Sequence, residues 1–259
     1  MTSPERHERP QPGNPYCLAI DQHTFPAASI KRFCGPDGCV LVHDLLRNKV
    51  RRAGPKDDIF CAKRAWDHGS ETGFMWQIEA PFQELANRIV ERQVSTIGEA
   101  DRRVVNEFFA LWYMRSRGRT LTTQEHQAQG VTGGGLSKDQ EEVLERHGVM
   151  FARAGGRFPA RFLNGHELRL RTYRYAQNEL AITRWGIIEA QEGEFLVPDV
   201  PLHTVIPLTP TRCVASPALD GMITRQNLTE INRNSLGASR AYFFARDFTA
   251  CPVWQSLRA

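Results

Sequence analysis

The period at which apolar residues recur changes partway along this chain, and that change decides which folds are open to it. Ile78, Phe82, Leu85 and Ile89 recur at i, i+4, i+7 and i+11, which is one stripe of an α-helix. After Asn178 the apolar runs become short and β-like: Ala181 to Ile188 around Trp185, Phe195 to Val197, His203 to Ile206, and Arg212 to Ala215. Gly193, Pro198, Pro201, Pro207 and Pro210 break them, as proline does at strand ends and edges. Helices followed by short strands make an α+β protein. The expected architecture is a mainly helical core with an N-terminal hairpin and a small mixed or antiparallel sheet from the C-terminal third.

The remaining elements follow from local signals. Gly35-Pro36-Asp37-Gly38 is a turn, and Cys39 to His43, a polar turn around Arg47-Asn48, and Val50 onward read as the hairpin. Thr96 with Glu99 predicts a capping box for a helix that faces inward with Val104, Phe108, Leu111 and Trp112. Ser137 with Gln140 predicts another, with Val143, Leu144, His147 and Phe151 as its apolar side. Pro159 opens a helix expected to bury Phe162, His166, Leu170 and Tyr173. A last helix is expected from about Thr224 to Ser239, and a closing strand at Tyr242 to Ala245. Residues 1–15 are proline-rich and polar and read as a disordered leader, so residues 16–259 form the single domain. The stretch 119–136 loses periodicity and holds Gly133, Gly134 and Gly135, which predicts a mobile loop.

Composition narrows the function classes. The chain has 259 residues, 41% of them hydrophobic and 24% charged, which suits a globular domain with a real core. Its net charge of +4 gives weak global attraction to polyanions, so clustering matters more. Arg47, Lys49, Arg51 and Arg52 lie together, as do Arg115, Arg117 and Arg119, and Arg169, Arg171 and Arg174. Two such clusters meeting in space would make a basic groove for nucleic acid, whereas separately each is a solvated face. The N-terminus lacks the apolar segment of a secretory signal, and no apolar run approaches a membrane span, so the expected location is cytoplasmic with no membrane partner. There the six cysteines stay reduced, and none form a C-x-x-C pair that would argue for structural zinc.

Residues 22–38 run Gln-His-Thr-Phe-Pro-Ala-Ala-Ser-Ile-Lys-Arg-Phe, then Cys34 and the Gly-Pro-Asp-Gly turn. This resembles the opening of domain-of-unknown-function family 4238, a bacterial family with a His-aromatic-x-Pro element, a phenylalanine and a hairpin. His23, Pro26 and Phe33 hold their places, while Thr24 stands where that family tends to have an aromatic residue. The resemblance continues through Ile78-Glu79, Arg115, Asp199-Val200-Pro201, Pro207-Leu208-Thr209-Pro210 and Ile231-Asn232, and covers residues 16 to about 246. Pro198 stands where the family usually has Ser or Thr. The family is uncharacterised, so the resemblance implies little about activity.

His23, Glu79, Asp199 and Asn232 are polar residues, distant in sequence, set in segments otherwise rich in apolar side chains. That is the pattern of an assembled site. A hard cation such as Mg²⁺ or Mn²⁺ wants carboxylate oxygens, which Glu79 and Asp199 would supply, with Asn232 as a neutral oxygen donor to metal or substrate. His23 would be a ligand or the general base, and Arg115 would hold substrate. Each has a structural alternative. Asp199 braces a turn, Asn232 cross-links a helix, His23 pins the leader, and Glu79 favours a helix dipole. Two functions are therefore expected: a metal-assisted phosphodiester hydrolase, such as a nuclease-like toxin or phage-defence effector with a cognate inhibitor, or a non-enzymatic module that binds nucleic acid or protein.

Overall fold

The computed structural model describes residues 7–254. The elements begin with β1 (Asp21–His23), α1 (Ala27–Lys31), the hairpin β2 (Val40–Asp44) and β3 (Lys49–Ala53), and β4 (Cys61–Lys63). Then come α2 (Trp76–Val90), α3 (Glu99–Arg115), β5 (His126–Gln127), α4 (Lys138–Arg146), β6 (Arg157–Phe158) and α5 (Ala160–Arg174). The last third supplies β7 (Gly186–Ala190), β8 (Val197–Pro198), β9 (Val205–Thr209), β10 (Arg212–Ala215), β11 (Gly221–Ile223), α6 (Arg225–Ala238) and β12 (Tyr242–Ala245). The protein is mixed α+β. Among the described residues, no helix is long and apolar enough to cross a membrane.

The hairpin is stitched to the far end of the chain. Its sheet runs β3-β2-β12-β8, with β12 antiparallel to both neighbours. Phe244 stands opposite Val42 on one side and Val197 on the other, so these three share the face that enters the core. Asn48 closes the hairpin turn in the left-handed region at φ +48, a conformation asparagine tolerates better than most residues. A second sheet runs β11-β7-β10-β9 and is buried on both faces. Ile187 and Val214 join the main core, while their neighbours Ile188 and Cys213 pack with Leu228 of α6. This is the strand period of two at work.

Helices α2 and α3 complete the core. Ile78, Phe82, Leu85 and Ile89 are all buried, and Phe82 stacks on Phe108 with centroids 3.5 Å apart. Phe25, just after β1, fills the gap between Trp112, at 4.5 Å, and Phe244. Burying each such ring contributes roughly 1.5–3 kcal/mol. The core is thus shared between helices and both four-stranded sheets, rather than being mainly helical.

Local readings fare unevenly. Ser137 and Gln140 form a complete capping box, and Thr224 and Asn227 form another at α6. Thr96 does not cap α3; Gly98 stands at that position without a side-chain bond. On α4 the buried residues are Glu141, Glu142 and Glu145, while His147 is exposed. On α5 Phe162 is buried, but Leu170 and Tyr173 face solvent and Arg161, Asn164 and Gly165 turn inward.

The expected leader and loop also take definite form where they are described. From His7 onward the leader is tied down: the Gln11 amide donates to Glu142 at 2.7 Å, and the Tyr16 hydroxyl to Asp139 at 2.6 Å. Residues 1–6 lie outside the described residues. Within 119–136, β5 pairs with β6, and Gly134 bridges Arg153. Gly133 has φ +68, and a Cβ there would collide with the Arg153 carbonyl, so glycine is what lets the two strands approach.

Candidate functional site

A π-helical turn, Ser70–Met75, runs directly into α2. Such turns widen the helix and recur at functional sites. Here the turn and α2 place Glu71, Met75 and Glu79 at i, i+4 and i+8, one stripe facing the last residue of α3. That residue is Arg115, only 2% exposed. Its Nη2 donates to Glu71 Oε2 at 3.0 Å, its Nη1 to Glu79 Oε1, and its Nε lies 3.1 Å from Met75 Sδ. Trp66 closes the group, with its Nε1 donating to Glu71 Oε2 at 2.7 Å and its ring 5.6 Å from the guanidinium carbon.

Two carboxylates therefore share one guanidinium. For Glu79, burial raises the pKa and Glu71 adds to the rise, outweighing the opposing attractions of Arg115 and His23. For Arg115, burial alone would lower it, but Glu71 and Glu79 together carry it above its ordinary value. The Glu79 side chain keeps 22% of its surface open, so it is reachable.

His23 belongs to this neighbourhood. Antiparallel pairing of β1 with β4 sets it opposite Cys61, and Gln22 bonds the Trp66 backbone at both ends of its amide, at 2.7 and 3.1 Å. His23 Nε2 lies 3.0 Å from the Pro55 carbonyl. A carbonyl only accepts, so Nε2 carries the proton, and in the neutral ring Nδ1 is left with its lone pair. Pro55 also walls a cleft of about 560 Å³ lined by Ala27, Ala28, Lys31, Gly54, Lys56 and Asp57.

The structure thus joins Glu79 to Arg115, with His23 near enough to act on Glu79 electrostatically. Arg115 does not stand open for substrate as expected; its three nitrogens are engaged inside the protein. Asp199 and Asn232 are held elsewhere. Both Asp199 oxygens accept backbone amides, from Arg240 and Ala241, each at 2.8 Å, where the chain enters β12. The Asn232 amide joins α6 to the segment before β8, accepting from Leu196 N at 2.9 Å and donating to Glu194 O at 2.8 Å. Replacing Asp199, itself buried, by alanine takes the acceptor from two partly buried amides and should cost about 1–3 kcal/mol in chemical denaturation. An unchanged midpoint would mean that the turn into β12 does not depend on the carboxylate.

Among the described residues, no three His, Cys, Asp or Glu side chains gather at metal-binding reach. The arginine clusters are also largely matched by acids. Arg51 pairs with both oxygens of Asp57 at 2.7 Å, Arg47 with Asp44, Arg52 with Asp37, and Arg171 with Glu167. They offer less free positive charge than their spacing promised. Among the described residues no cysteine is in a disulfide, and burial raises the thiol pKa of Cys213 and Cys251, which suits packing rather than nucleophilic chemistry. The residues that sequence reasoning missed are Glu71, Met75 and Trp66. For Glu71 and Met75 the signal was the i, i+4, i+8 repeat that ends at Glu79. Comparison with known proteins finds no matching family model, no similar curated protein and no similar solved structure. The functional reading accordingly rests on geometry.

Proposed function

We propose that the chain is a hydrolase of phosphodiesters in which Glu79 and His23 exchange protons with the substrate and Arg115 positions Glu79. One observation carries this reading: a reachable but mostly buried carboxyl shares a guanidinium with a second carboxylate, beside a histidine whose Nδ1 is free to accept. A carboxyl whose hold on its proton is raised by burial is suited to donate to a leaving oxygen, and an imidazole is suited to take a proton from water. The cleft beside Pro55 supports an anionic substrate, because Lys31 and Lys56 line it over an apolar floor. Mg²⁺ or Mn²⁺ would meet the site through Glu79, so dependence on added cation belongs to the test. A nuclease of this kind, acting as a toxin or defence effector, would be held in check by a cognate inhibitor protein.

The test is turnover of bis(4-nitrophenyl) phosphate and of DNA and RNA substrates, with Mn²⁺ or with chelator. Glu79→Gln and His23→Gln should each lower kcat/KM by about 10²–10⁴. Equal turnover in the unchanged chain and both variants would sink the reading. The near-complete burial of Arg115 favours a second one, in which the group only cross-links α2 to α3 in a non-enzymatic binding module. That module would retain nucleic acid or a protein partner with no turnover in any arm.

A further inference from the structure

Near the N-terminal end of the sequence, Glu8 is gripped from three directions. Lys138 of α4 and Arg153 donate to its Oε1, Arg153 at 2.6 Å, and Arg161 of α5 donates to Oε2 at 2.6 Å. Arg64 adds a bond from Nη1 to the Glu8 backbone carbonyl at 2.9 Å. The grip is strong enough that, although burial would raise it, the Glu8 carboxyl falls to about 2 under Arg161, Lys138 and Arg153.

Two features show that this is more than a surface ion pair. Arg64 and Arg161 are buried, and among the described residues Arg64 Nε and Arg161 Nη2 have no hydrogen-bond partner. Buried guanidinium N–H groups without partners are rare and aim for an acceptor. Both arginines line a small gap of about 30 Å³ beside Glu8. The charge balance is equally specific. Among the described residues, the connected ion pairs join five cations (Arg64, Lys138, Arg153, Arg157, Arg161) to five carboxylates (Glu8, Glu125, Glu141, Glu142, Glu145). Four of those acids belong to the body of the protein. Only Glu8 comes from the terminal segment, and without it the network is one negative charge short.

Apolar burial contributes little to that hold. From His7 to Cys17 no residue is buried, and the first apolar anchor is Leu18, 3% exposed. Lifting the segment therefore gives up polar contacts and little apolar burial.

We propose that Lys138, Arg153 and Arg161 form a recognition site for a monoanionic carboxylate, filled in the resting chain by its own Glu8 and open to a carboxylate ligand from outside when that segment lifts. A carboxylate restores the charge balance, and its two oxygens take separate donors as those of Glu8 do, Lys138 and Arg153 on one and Arg161 on the other, which a spherical chloride does not do as well. Tethered Glu8 competes at an effective concentration of order millimolar, so the resting chain takes outside ligand weakly.

Acetate is the probe, because it is the group that Glu8→Ala removes. In Glu8→Ala, acetate should raise the melting temperature saturably above matched chloride, with half-saturation about tenfold below that of the unchanged chain. Glu8→Ala combined with Arg161→Met should lose the response. Equal effects of acetate and chloride, or a response that survives in the double variant, would overturn the proposal. A second arm uses the unchanged chain. Saturating acetate should speed hydrogen exchange at the Gln11 amide, relative to equal chloride, as the segment lifts. An unchanged exchange rate would mean that the site never opens to solutes, and the proposal would fall even if Glu8→Ala did not fold.

Discussion

Arg115→Met is expected to destabilise the fold by about 3–5 kcal/mol, the cost typical of removing one partner from a buried ion pair. The loss does not come from packing, since methionine fills much of the same space beside Met75 and Trp66. It comes from leaving Glu71 and Glu79 as neighbouring acids with no cation between them. The pH dependence identifies the cause. In the unchanged chain the folded-state pKa of Glu79 lies above its unfolded value of 4.5. A carboxyl raised in this way favours the fold below the unfolded value, and that advantage is lost as pH rises through the folded value. Removing Arg115 takes away an interaction that lowers the Glu79 pKa, so the gap widens. Arg115→Met should therefore lie nearest the unchanged chain in acid and fall progressively behind toward neutral pH. Urea titrations at pH 4.5 and pH 7.5 measure it. A loss independent of pH would assign the cost to lost packing and show that the two carboxylates do not feel each other.

The fold was legible where one force decided the outcome. The stripe Ile78, Phe82, Leu85 and Ile89 faces the core because nothing polar competes for that side of α2, and Tyr242–Ala245 is wholly buried because every side chain in it is apolar or small. The capping box at Ser137 spans only four residues, so it could be read locally, while the same signal at Thr96 did not cap α3. What the chain did not disclose was pairing at a distance. The hairpin joins a sheet with a strand some 200 residues later, and no local signal encodes that register.

Helix α4 shows the second limit. Its apolar residues, Val143 and Leu144, are half-buried, while Glu141, Glu142 and Glu145 are buried. A periodicity argument ranks burial by hydrophobicity, and it fails when buried arginines from other segments reward an acidic face. The candidate site divides along the same line. His23 and Glu79 were visible as polar residues in apolar surroundings, and Glu79 is bonded to Arg115, which stood out as part of a basic cluster. Asp199 and Asn232 gave the same signal, because a carboxylate that braces backbone amides and an amide that cross-links a helix are equally polar and equally buried. Separating the two kinds requires knowing their partners, which are the Arg240, Ala241 and Leu196 amides and the Glu194 carbonyl.

The acidic face of α4 leads to the other large effect. Glu145, with a side chain 1% exposed, accepts Arg64 Nη2 at 2.6 Å and Arg161 Nε at 2.8 Å, and those side chains are 0% and 5% exposed. Glu145→Ala strands both guanidiniums out of water, and an expected loss of about 3–5 kcal/mol follows. Glu145→Gln should recover only a minor part, since it restores an acceptor but not the charge. Arg161 has a second carboxylate, Glu8, and among the described residues Arg64 keeps the Glu8 backbone carbonyl, so the network's response depends on the terminal segment. Glu145→Ala and Glu8→Ala share partners, and their costs should depart from additivity by about 0.5–3 kcal/mol. Once Glu145 is gone, Glu8 becomes the remaining acid on Arg161, so losing both should cost more than the sum. Denaturant midpoints of the two single variants and the double variant measure that coupling. Strict additivity would show that Arg161 relaxes to solvent in Glu145→Ala, and that the terminal segment and α4 stabilise the fold independently.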